Sequence, residues 1–466
     1  MTSSKVFSLD WIKGHKDRNI SLLIGVFVII KLLSLHYYKI IWWDPSVYIG
    51  MGKYIFSLGK LGLWEEARPL VWPLMLGFLW KLGLNQVLFA RILDVIFGAL
   101  VILFTYKIGE KIFDAKTALL ACAFIATSPT FFFFDGIMLS EVVSTFFALV
   151  AINFLLTKKF YLAGIFFGVS FMTRFLQLYI FIGVLLVFCS YRLKYKDIAI
   201  KVILGFGLAV FPYLFLNFIL YHNPLLPFTQ QIFLTKNTGW PNYHGIDYYF
   251  KNLFKENILY LFSLIGAFLS LKSEDKNKRF ISAFFLIAFI FFNSIRQKEM
   301  RFLIILFPYM FLLLSFAVKS ILEVRGGTNW ALQILVITSI ILSCLNIAYY
   351  YKLESGKENT YDILQSKFDK ANGNLWVFSP IVAVYSNNKI NNLMYYPLFN
   401  EGKKNELIDN LNSADHLFID TCEIACNPND IGCEAAKAEL LEYVVKKLKV
   451  SYMSKNNQCT YLILDK

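Results

Sequence analysis

A chain of 466 residues that is 57% hydrophobic and 18% aromatic is too apolar for a soluble protein, because soluble domains are usually about 45–50% apolar even with glycine counted. Its formal net charge of +14 would suit a nucleic-acid-binding protein, but the Lys and Arg residues fall mainly in short segments between long apolar runs. These properties exclude a soluble globular protein, argue against a nucleic-acid partner and predict a polytopic membrane protein that contacts membrane lipids.

Long apolar runs predict the membrane spans. The first run, 20–40, follows a basic N-terminal tail over 1–19 and lacks a small-residue cleavage site, so we expect a retained anchor and not a signal peptide. The region 160–191 is too long for one span and short for two, and Thr173 and Arg174 lie in its middle, so we predict two short helices there. The eleven predicted spans are 20–40, 87–107, 117–134, 138–157, 160–172, 175–191, 202–221, 255–271, 280–295, 301–318 and 330–350.

The segment 41–86 follows the first span but is neither a short loop nor a span itself. It places a carboxylate, Asp44, within a few residues of the end of the first apolar run, at the membrane surface. Two amphipathic stretches follow, Tyr48 to Leu61 and Pro69 to Leu82, and we expect helices that lie in the membrane interface. The charged residues between these stretches are Glu65, Glu66 and Arg68, of which the two glutamates are expected to shape the loop.

The distribution of Lys and Arg predicts the orientation, because cytoplasmic loops carry an excess of these residues. The N-terminus is therefore expected in the cytoplasm and the C-terminal region outside it, in a multi-pass protein of the cell membrane. The basic loops assigned to the cytoplasm are 107–116, 158–159, 192–201, 272–279 and 319–325. The segments left on the outward side are 41–86, 134–140, the Thr173–Arg174 turn, 222–254, 296–300 and the chain after 351.

From residue 351 the composition becomes polar, and helix-like and strand-like segments alternate. This pattern predicts a small extracytoplasmic α/β domain over 351–466, after a transmembrane domain over 20–350. Predicted helices cover 358–371, 403–412 and 435–450, and predicted strands cover 374–379, 415–420 and 460–465. Four cysteines lie in this domain: Cys422, Cys426, Cys433 and Cys459. An even number outside the cytosol favours two disulfides, with three pairings open, over a zinc site, because no CxxC pair is present.

Several motifs follow one another in a fixed order along residues 20–320. After Asp44 come ARPLVWPLMLGFLWKLGLN, ARILDVIFGALV, SPTFFFFDGIMLSEVVSTFF, AGIFFGVSFMTRFLQLYIF, LNFILYHNPLLPF and RQKEMRFLIILFPYMFLLL. This order resembles the GT-C glycosyltransferases of the protein O-mannosyltransferase and aminoarabinose-transferase superfamily. The resemblance implies a GT-C-like, α-helical polytopic membrane fold with interfacial helices in the first outward loop. Pro45 stands where many relatives have Glu, and Leu70 where a second Pro is common.

The resemblance also implies a reaction: a hexosyl or pentosyl group moves from a polyprenyl- or dolichyl-phosphate carrier to a hydroxyl of a lipid, glycan or protein acceptor, on the extracytoplasmic face. Such a transfer needs a general base for the acceptor oxygen and positive charge for the departing phosphate. Asp44 is the predicted base. A nucleotide-sugar donor is disfavoured, because no glycine-rich phosphate loop is visible. No cofactor is required, and Pro45 beside Asp44 leaves a role for a divalent cation open.

Charged residues of the outward turns complete the predicted site. Glu141, which follows Ser140, is the second predicted catalytic residue; binding the acceptor, holding a divalent cation or pairing with an arginine are its alternatives. Asp135, nearer the water, is expected to position substrate or to cap the next helix, and Arg68 is expected to position substrate. The cations predicted to bind the donor phosphate are Arg301, Lys298, Arg296 and Arg174.

Two other groups are expected to be structural. Arg91 and Asp94 are three residues apart on one helix face, which favours an intrahelical ion pair. His222 and His244 have only Asp247 near them and do not predict a metal site. Two rival functions stay open at this level: a transporter or flippase of lipid-linked sugars, and an outward domain that binds a partner while the spans only anchor it.

Overall fold

The structure, a computed structural model, divides into two compact units. It describes residues 15–190, 196–324, 330–355, 373–394, 399–424, 426–427, 429–455 and 459–466. The helical unit contains Met1–Tyr38, Ala90–Leu216 and His244–Gly356. The mixed unit contains Lys39–Phe89, Asn217–Tyr243 and Lys357–Lys466.

Helices dominate the chain before residue 356, as predicted for a polytopic membrane protein. They are α1 His15–Ser34, α2 Trp43–Phe56, α3 Val71–Lys81, α4 Gln86–Ile112, α5 Ala115–Thr127, α6 Pro129–Phe134, α7 Ser140–Leu156, α8 Phe160–Thr173, α9 Gln177–Ser190, α10 Lys196–Tyr221, α11 Leu226–Thr238, α12 Tyr248–Glu256, α13 Phe262–Leu271, α14 Lys276–Ser294, α15 Phe307–Val324 and α16 Trp330–Ser355. Within the described residues, four helical stretches have the length and composition to cross a membrane: Arg18–Tyr37, Gln86–Ile112, Lys196–Tyr221 and Trp330–Ser355. The count of eleven spans stays a prediction.

Two of the predicted apolar regions are interrupted, one as expected and one not. The region 160–191 divides into α8 and α9 around Arg174, whose extended backbone (φ −156°, ψ 120°) ends α8. The predicted span 117–134 also divides, into α5 and α6. The reason is local: Ser128 leaves the helical conformation, caps α6 with its hydroxyl and precedes Pro129.

The first loop folds into two helices, as predicted. α2 begins at Trp43, before the predicted start at Tyr48, and α3 begins at Val71. The two helices meet backbone to backbone, because a Cβ atom at Gly77 would lie 2.5 Å from the carbonyl oxygen of Gly52. Only glycine permits this approach, so the glycine pair fixes how α2 and α3 pack.

The C-terminal domain has the predicted α/β character, with a five-stranded sheet of order β2-β1-β3-β5-β4. The strands are β1 Leu375–Val377, β2 Ile390–Leu393, β3 His416–Asp420, β4 Lys449–Lys455 and β5 Thr460–Asp465, and the helices are α17 Val382–Tyr385, α18 Glu401–Asn410 and α19 Cys433–Lys447. β1 is parallel to β2 and β3, whereas β5 is antiparallel to β3 and β4. The predicted helix over 358–371 lies outside the described residues. The one over 435–450 was drawn too long, because the chain becomes extended at Leu448 and then pairs with β5 as the edge strand β4.

The first loop packs against this sheet within the mixed unit. Val47 and Met51 of α2 share a buried hydrophobic cluster with Phe418 of β3. The buried ammonium of Lys53 donates to the carbonyl oxygen of Val384 at 2.9 Å. The loop that carries the predicted base is therefore supported by the C-terminal domain, although the sequence analysis assigned the two to separate domains.

Two disulfides close the C-terminal domain, as predicted. Cys422 is joined to Cys459, and Cys426 is joined to Cys433, with Cα–Cα distances of 5.3 and 5.6 Å. The first bond ties the turn after β3 to the residue before β5, so it closes the end of this antiparallel strand pair at which Asp420 pairs with Tyr461. The second closes the loop that leads into α19.

The turn after β3 also contains a carboxyl group with a strongly shifted pKa. Burial, with a further contribution from nearby Asp420, raises the pKa of Glu423 to about 8. The folded state therefore binds this proton more tightly than the unfolded state does. It follows that Glu423 favours folding fully at low pH, and that this contribution is lost as the pH rises from the ordinary carboxyl range through about 8.

Replacing Glu423 by Gln is expected to remove this pH dependence. Gln resembles the protonated carboxyl, so the variant should match the wild type near pH 5 and protect the sheet better above pH 8, where the wild-type carboxylate is charged. Hydrogen exchange of peptides covering β3 and β5 in the full-length protein, corrected for intrinsic pH effects, measures this. Glu434→Gln, at an exposed site at the start of α19, is the control. Identical profiles for the Glu423 variant and wild type would contradict the prediction.

Candidate active site

The predicted base, Asp44, lies in the first turn of α2 and is held by an arginine. Its Oδ1 atom is 3.0 Å from Nη2 of Arg68, and Nε of the same arginine is 2.9 Å from Oε1 of Glu65. The Asp44 side chain is 18% exposed and that of Glu65 only 4%. Arg68 therefore bridges a buried carboxylate, which fixes the loop, and a partly exposed one, which keeps access to solvent. These three residues form the Asp44 group of the mixed unit.

The local sequence explains why Asp44 starts a helix. Trp42 is extended (φ −75°, ψ 167°) and stands at the cap, so Pro45 falls in the first turn, where a helix needs no backbone N–H. A carboxylate in the first turn is also favoured by the positive end of the helix dipole. Its ion pair with Arg68 gives the side chain a fixed direction.

A second charged group lies in the helical unit, at the start of α7. The Glu141 side chain is 1% exposed, and its Oε1 atom is 3.1 Å from Nη2 of Arg174 and 3.5 Å from Nε of Arg301. Nη1 of Arg174 donates to Oγ of Ser140 at 3.1 Å. The fork of Arg174 thus contacts both residues of the predicted Ser-Glu element. Of the alternatives open for Glu141, the structure shows the ion pair with arginine.

Arg301 has its own carboxylate partner, which the sequence analysis missed. Its Nε and Nη2 atoms donate to the two carboxylate oxygens of Glu299 at 2.7 and 3.1 Å. The guanidinium carbons of Arg174 and Arg301 lie 5.1 and 5.5 Å from the centre of the Phe302 ring. The Glu141 group, defined as Glu141, Arg174, Glu299 and Arg301, combines two guanidinium and two carboxylate groups. The alternation of charge within RQKEMR was the available signal for Glu299.

The other two predicted phosphate-binding residues differ from this pair. Lys298 is 3% exposed, and its ammonium donates to the carbonyl oxygens of His244 and Ile295. Burial lowers the pKa of Lys298, while Asp247 acts in the opposite direction. This geometry ties the loop before α12 to the loop after α14. Arg296 is exposed, and its carbonyl oxygen accepts from the amide of His244 at 3.1 Å.

Asp135 was expected to lie near the water, but the structure buries it. It ends α6 and is 0% exposed, and both of its carboxylate oxygens lack a hydrogen-bond partner among the described residues. It packs on α4, because a Cβ atom at Gly98 would lie 2.6 Å from its Oδ1 atom. The predicted cap on α7 is wrong, because the residue at that cap is Leu139 and no described side chain caps the helix.

Arg91 and Asp94, which were expected to form an ion pair, each bind backbone groups. Nη2 of Arg91 donates to the carbonyl oxygen of Tyr38 at 3.0 Å. Asp94 is fully buried and binds backbone amides of the turn before α7. Its partners are backbone amides, which have no signature in the residue types, so these contacts could not be predicted from the sequence.

Potential metal ligands cluster at one place among the described residues, Asp420 with Cys422 and Cys459, and the two sulfur atoms there are joined in a disulfide. His244 stacks on Tyr248 with ring centres 4.2 Å apart, and His222 is exposed with a positive φ of 53°. Around Glu141 two guanidinium groups favour an anion over a cation. The two guanidinium groups of the Glu141 group can therefore bind an anionic ligand that displaces their carboxylate partners, and the Asp44 group is suited to presenting an oriented carboxylate.

Comparison with known proteins bears on the family and the fold of the chain. The model of the Alg9-like mannosyltransferase family matches residues 53–389. No curated protein sequence matches the chain. Among solved structures, ArnT from Cupriavidus metallidurans bound to undecaprenyl phosphate is similar, with a TM-score of 0.68 at 11% identity over 96% of this chain and 97% of that chain.

Two structures of an archaeal oligosaccharyltransferase from Archaeoglobus fulgidus are also similar. One, in complex with Zn and sulfate, has a TM-score of 0.57 at 14% identity and covers 84% of this chain and 67% of that chain. The other, AglB with an inhibitory peptide and a dolichol-phosphate, has a TM-score of 0.53 at 13% identity and covers 94% and 74%. At these identities the likeness shows a shared GT-C fold, which the motif order predicted.

Proposed function

The chain belongs to the Alg9-like mannosyltransferase family and is a glycosyltransferase, and from this we propose that it takes one sugar from a polyprenyl- or dolichyl-phosphate carrier. The acceptor is a hydroxyl group on the extracytoplasmic face. The choice of carrier is supported by the ligands of two proteins of similar fold, undecaprenyl phosphate in ArnT and dolichol-phosphate in AglB. The orientation follows from the basic loops, with a cytoplasmic N-terminus and an extracytoplasmic C-terminal domain.

The observation that carries this proposal is the pair of guanidinium groups at Glu141. Arg174 and Arg301 are each 11% exposed, so both are held in place yet reachable. Guanidinium binds phosphate oxygens through two parallel hydrogen bonds, and it stabilises the charge that develops on a departing phosphate. We assign donor-phosphate binding to these two arginines. The exposed Arg296 adds positive charge, while Lys298 keeps the loop that carries Arg301 in place.

Glu141 keeps the two arginines aligned until the donor arrives, and this is its catalytic contribution. A carboxylate within reach of both guanidinium groups restricts their rotamers, so less entropy is lost when phosphate binds. Because Glu141 competes with the phosphate for the same two guanidinium groups, the arginines turn from one anion to the other during binding. No metal ion enters this scheme.

Asp44 acts as the general base in this proposal. Removal of a proton from the acceptor hydroxyl by a positioned carboxylate typically contributes about 10²–10⁴-fold to the rate. Arg68 holds the carboxylate in one direction, which makes Arg68 the positioning residue of the Asp44 group. A single base and in-line attack lead to inversion at the sugar carbon.

The direct test is sugar transfer by the purified full-length protein in lipid nanodiscs. We expect turnover of radiolabelled polyprenyl-phosphate mannose and none of GDP-mannose at equal concentration. An Arg174→Ala, Arg301→Ala double variant sets the background of non-enzymatic hydrolysis. If the wild type moved the lipid between leaflets of vesicles and released no sugar from it, the protein would be a flippase. Turnover of GDP-mannose would overturn the assignment of the carrier.

A further inference from the structure

Buried charged side chains of the helical unit hold the turn that joins α6 to α7, residues 135–139, and the end of α6 before it. From α4, Oδ2 of Asp94 accepts from the amides of Gly136 at 2.8 Å and Met138 at 2.9 Å. From α1, the ammonium of Lys31 donates to the carbonyl oxygen of Phe132, in the last turn of α6, at 2.5 Å. Asp94 and Lys31 are both 0% exposed, so neither contact is weakened by water.

The backbone of this turn needs such support. Gly136 and Met138 have φ angles of 87° and 68°, in the left-handed region. Glycine adopts this region freely, but methionine does so at a steric cost. The conformation brings two amides onto a single carboxylate oxygen, and the interaction with Asp94 compensates for the strain at Met138.

The space around the turn leaves it little freedom. A Cβ atom at Gly98, one helical turn after Asp94 on α4, would lie 2.6 Å from Oδ1 of Asp135. On the opposite side, a Cβ atom at Gly136 would lie 2.8 Å from a methyl group of Leu35. The turn therefore lies directly on the backbone of α4, and its position is set by that helix.

The turn leads straight into the Glu141 group. Leu139 stands at the cap of α7, and Ser140 and Glu141 form its first turn, where both contact Arg174. A shift of the turn would move these two side chains with it. Because the arginines reach Glu141 from the residue that ends α8 and from the loop after α14, at 3.1 and 3.5 Å, a displacement of about 1 Å would break this alignment.

We propose that Asp94 is a positioning residue for the transfer reaction: by binding the amides of Gly136 and Met138 it fixes the turn and thereby the place of Glu141 between Arg174 and Arg301. The inference rests on the proposed function, since it assigns Asp94 a part in the same site. Asp94 acts through Glu141 and touches neither donor nor acceptor. Hydrogen-bond acceptance is the property that matters, not charge.

Two substitutions separate these properties. In Asp94→Asn the amide oxygen can still accept both hydrogen bonds, because both backbone amides bind the same oxygen, Oδ2. The new NH₂ group takes the place of Oδ1, which accepts no hydrogen bond from a described residue. In Asp94→Ala both acceptors are lost. We expect Asp94→Ala to lower kcat/KM for the lipid donor roughly 100-fold and Asp94→Asn to retain most of the activity.

A double-mutant cycle with Glu141→Gln shows whether Asp94 acts through Glu141. Asp94→Ala should add little to the loss caused by Glu141→Gln. Glu256→Ala is the matched control, since this carboxylate binds Ser128 and Thr130 at the other end of α6, and its loss should add to that of Glu141→Gln. Equal losses for Asp94→Ala and Asp94→Asn, or an additive cycle for Asp94, would overturn the proposal.

Hydrogen exchange in the full-length protein keeps this test independent of the assigned substrate. Asp94→Ala should speed exchange in peptides covering 135–145, and Asp94→Asn should leave it near the wild-type rate. If no donor is turned over by the wild type, the proposed function fails, and the exchange rates still decide whether Asp94 holds the turn. Unchanged exchange in Asp94→Ala would overturn the positioning role even in an active enzyme.

Discussion

Replacing Asp44 by Asn is expected to lower kcat for sugar transfer by roughly 10²–10⁴-fold and to leave KM for the donor nearly unchanged. Asn keeps the shape of the side chain and an oxygen that accepts from Arg68, so the Asp44 group should stay assembled. What is lost is the ability to take a proton from the acceptor hydroxyl. Initial rates with polyprenyl-phosphate mannose over a range of donor and acceptor concentrations measure both constants.

Asp409→Asn is the matched control for this experiment, because it makes the same chemical change at an exposed position of α18 in the same unit. It should behave as the wild type does. A variant Asp44→Asn that kept its kcat but required more donor would show that Asp44 binds substrate and is not the base. If both kcat and KM of Asp44→Asn equalled those of the wild type, Asp44 would have no part in the reaction.

Removing either guanidinium group from the Glu141 group is expected to raise the KM for the lipid donor. A hydrogen bond to a charged group is worth about 1.5–3 kcal/mol, so Arg174→Ala and Arg301→Ala should each lower kcat/KM about 10- to 100-fold. Arg301→Lys should fall between wild type and Ala, because an ammonium keeps the charge without the two-pronged geometry. Inhibition by free polyprenyl phosphate measures the phosphate affinity separately from turnover.

Two controls accompany this series. Arg279→Ala removes an arginine from the start of α14. Among the described residues, the one hydrogen bond of this side chain is to the carbonyl oxygen of Glu274, at 3.4 Å. Glu299→Gln shows how much of the Arg301 effect arises from leaving a carboxylate without its cation. If the arginine variants lost activity but bound polyprenyl phosphate as tightly as the wild type, phosphate binding by this pair would be refuted.

Much of the helical architecture could be predicted, because hydrophobic runs and turn residues are local features. The division of 160–191 at Arg174, the two helices of the first loop and the two disulfides all follow from residue types in the sequence. The break at Ser128 was missed because the apolar run through 117–134 continues across it. β2 and β4 were missed because these two edge strands are rich in polar residues and for the most part not buried, so their sequences lack the hydrophobic pattern of a buried strand.

Prediction of the site succeeded where side chains pair with side chains and failed where they pair with backbone. Glu141 lies beside two of the predicted arginines, because charged side chains in an apolar environment are stabilised by pairing with opposite charges. Lys298 was predicted to bind phosphate together with Arg301, yet its ammonium binds carbonyl oxygens. Asp94 was predicted to pair with Arg91, three residues before it in α4, but it binds backbone amides more than forty residues away.

The balance of charge in the Glu141 group has a consequence for the catalytic cycle. Two guanidinium and two carboxylate groups sum to zero, so the resting site leaves no uncompensated charge in its buried surrounding. Under the proposed function the donor is a phosphodiester with a single negative charge, whereas the spent carrier is a phosphomonoester with about 1.5 to 2. The arginines therefore hold the spent carrier more firmly than the donor. Spent carrier that accumulates is therefore expected to compete with the donor and to inhibit the enzyme.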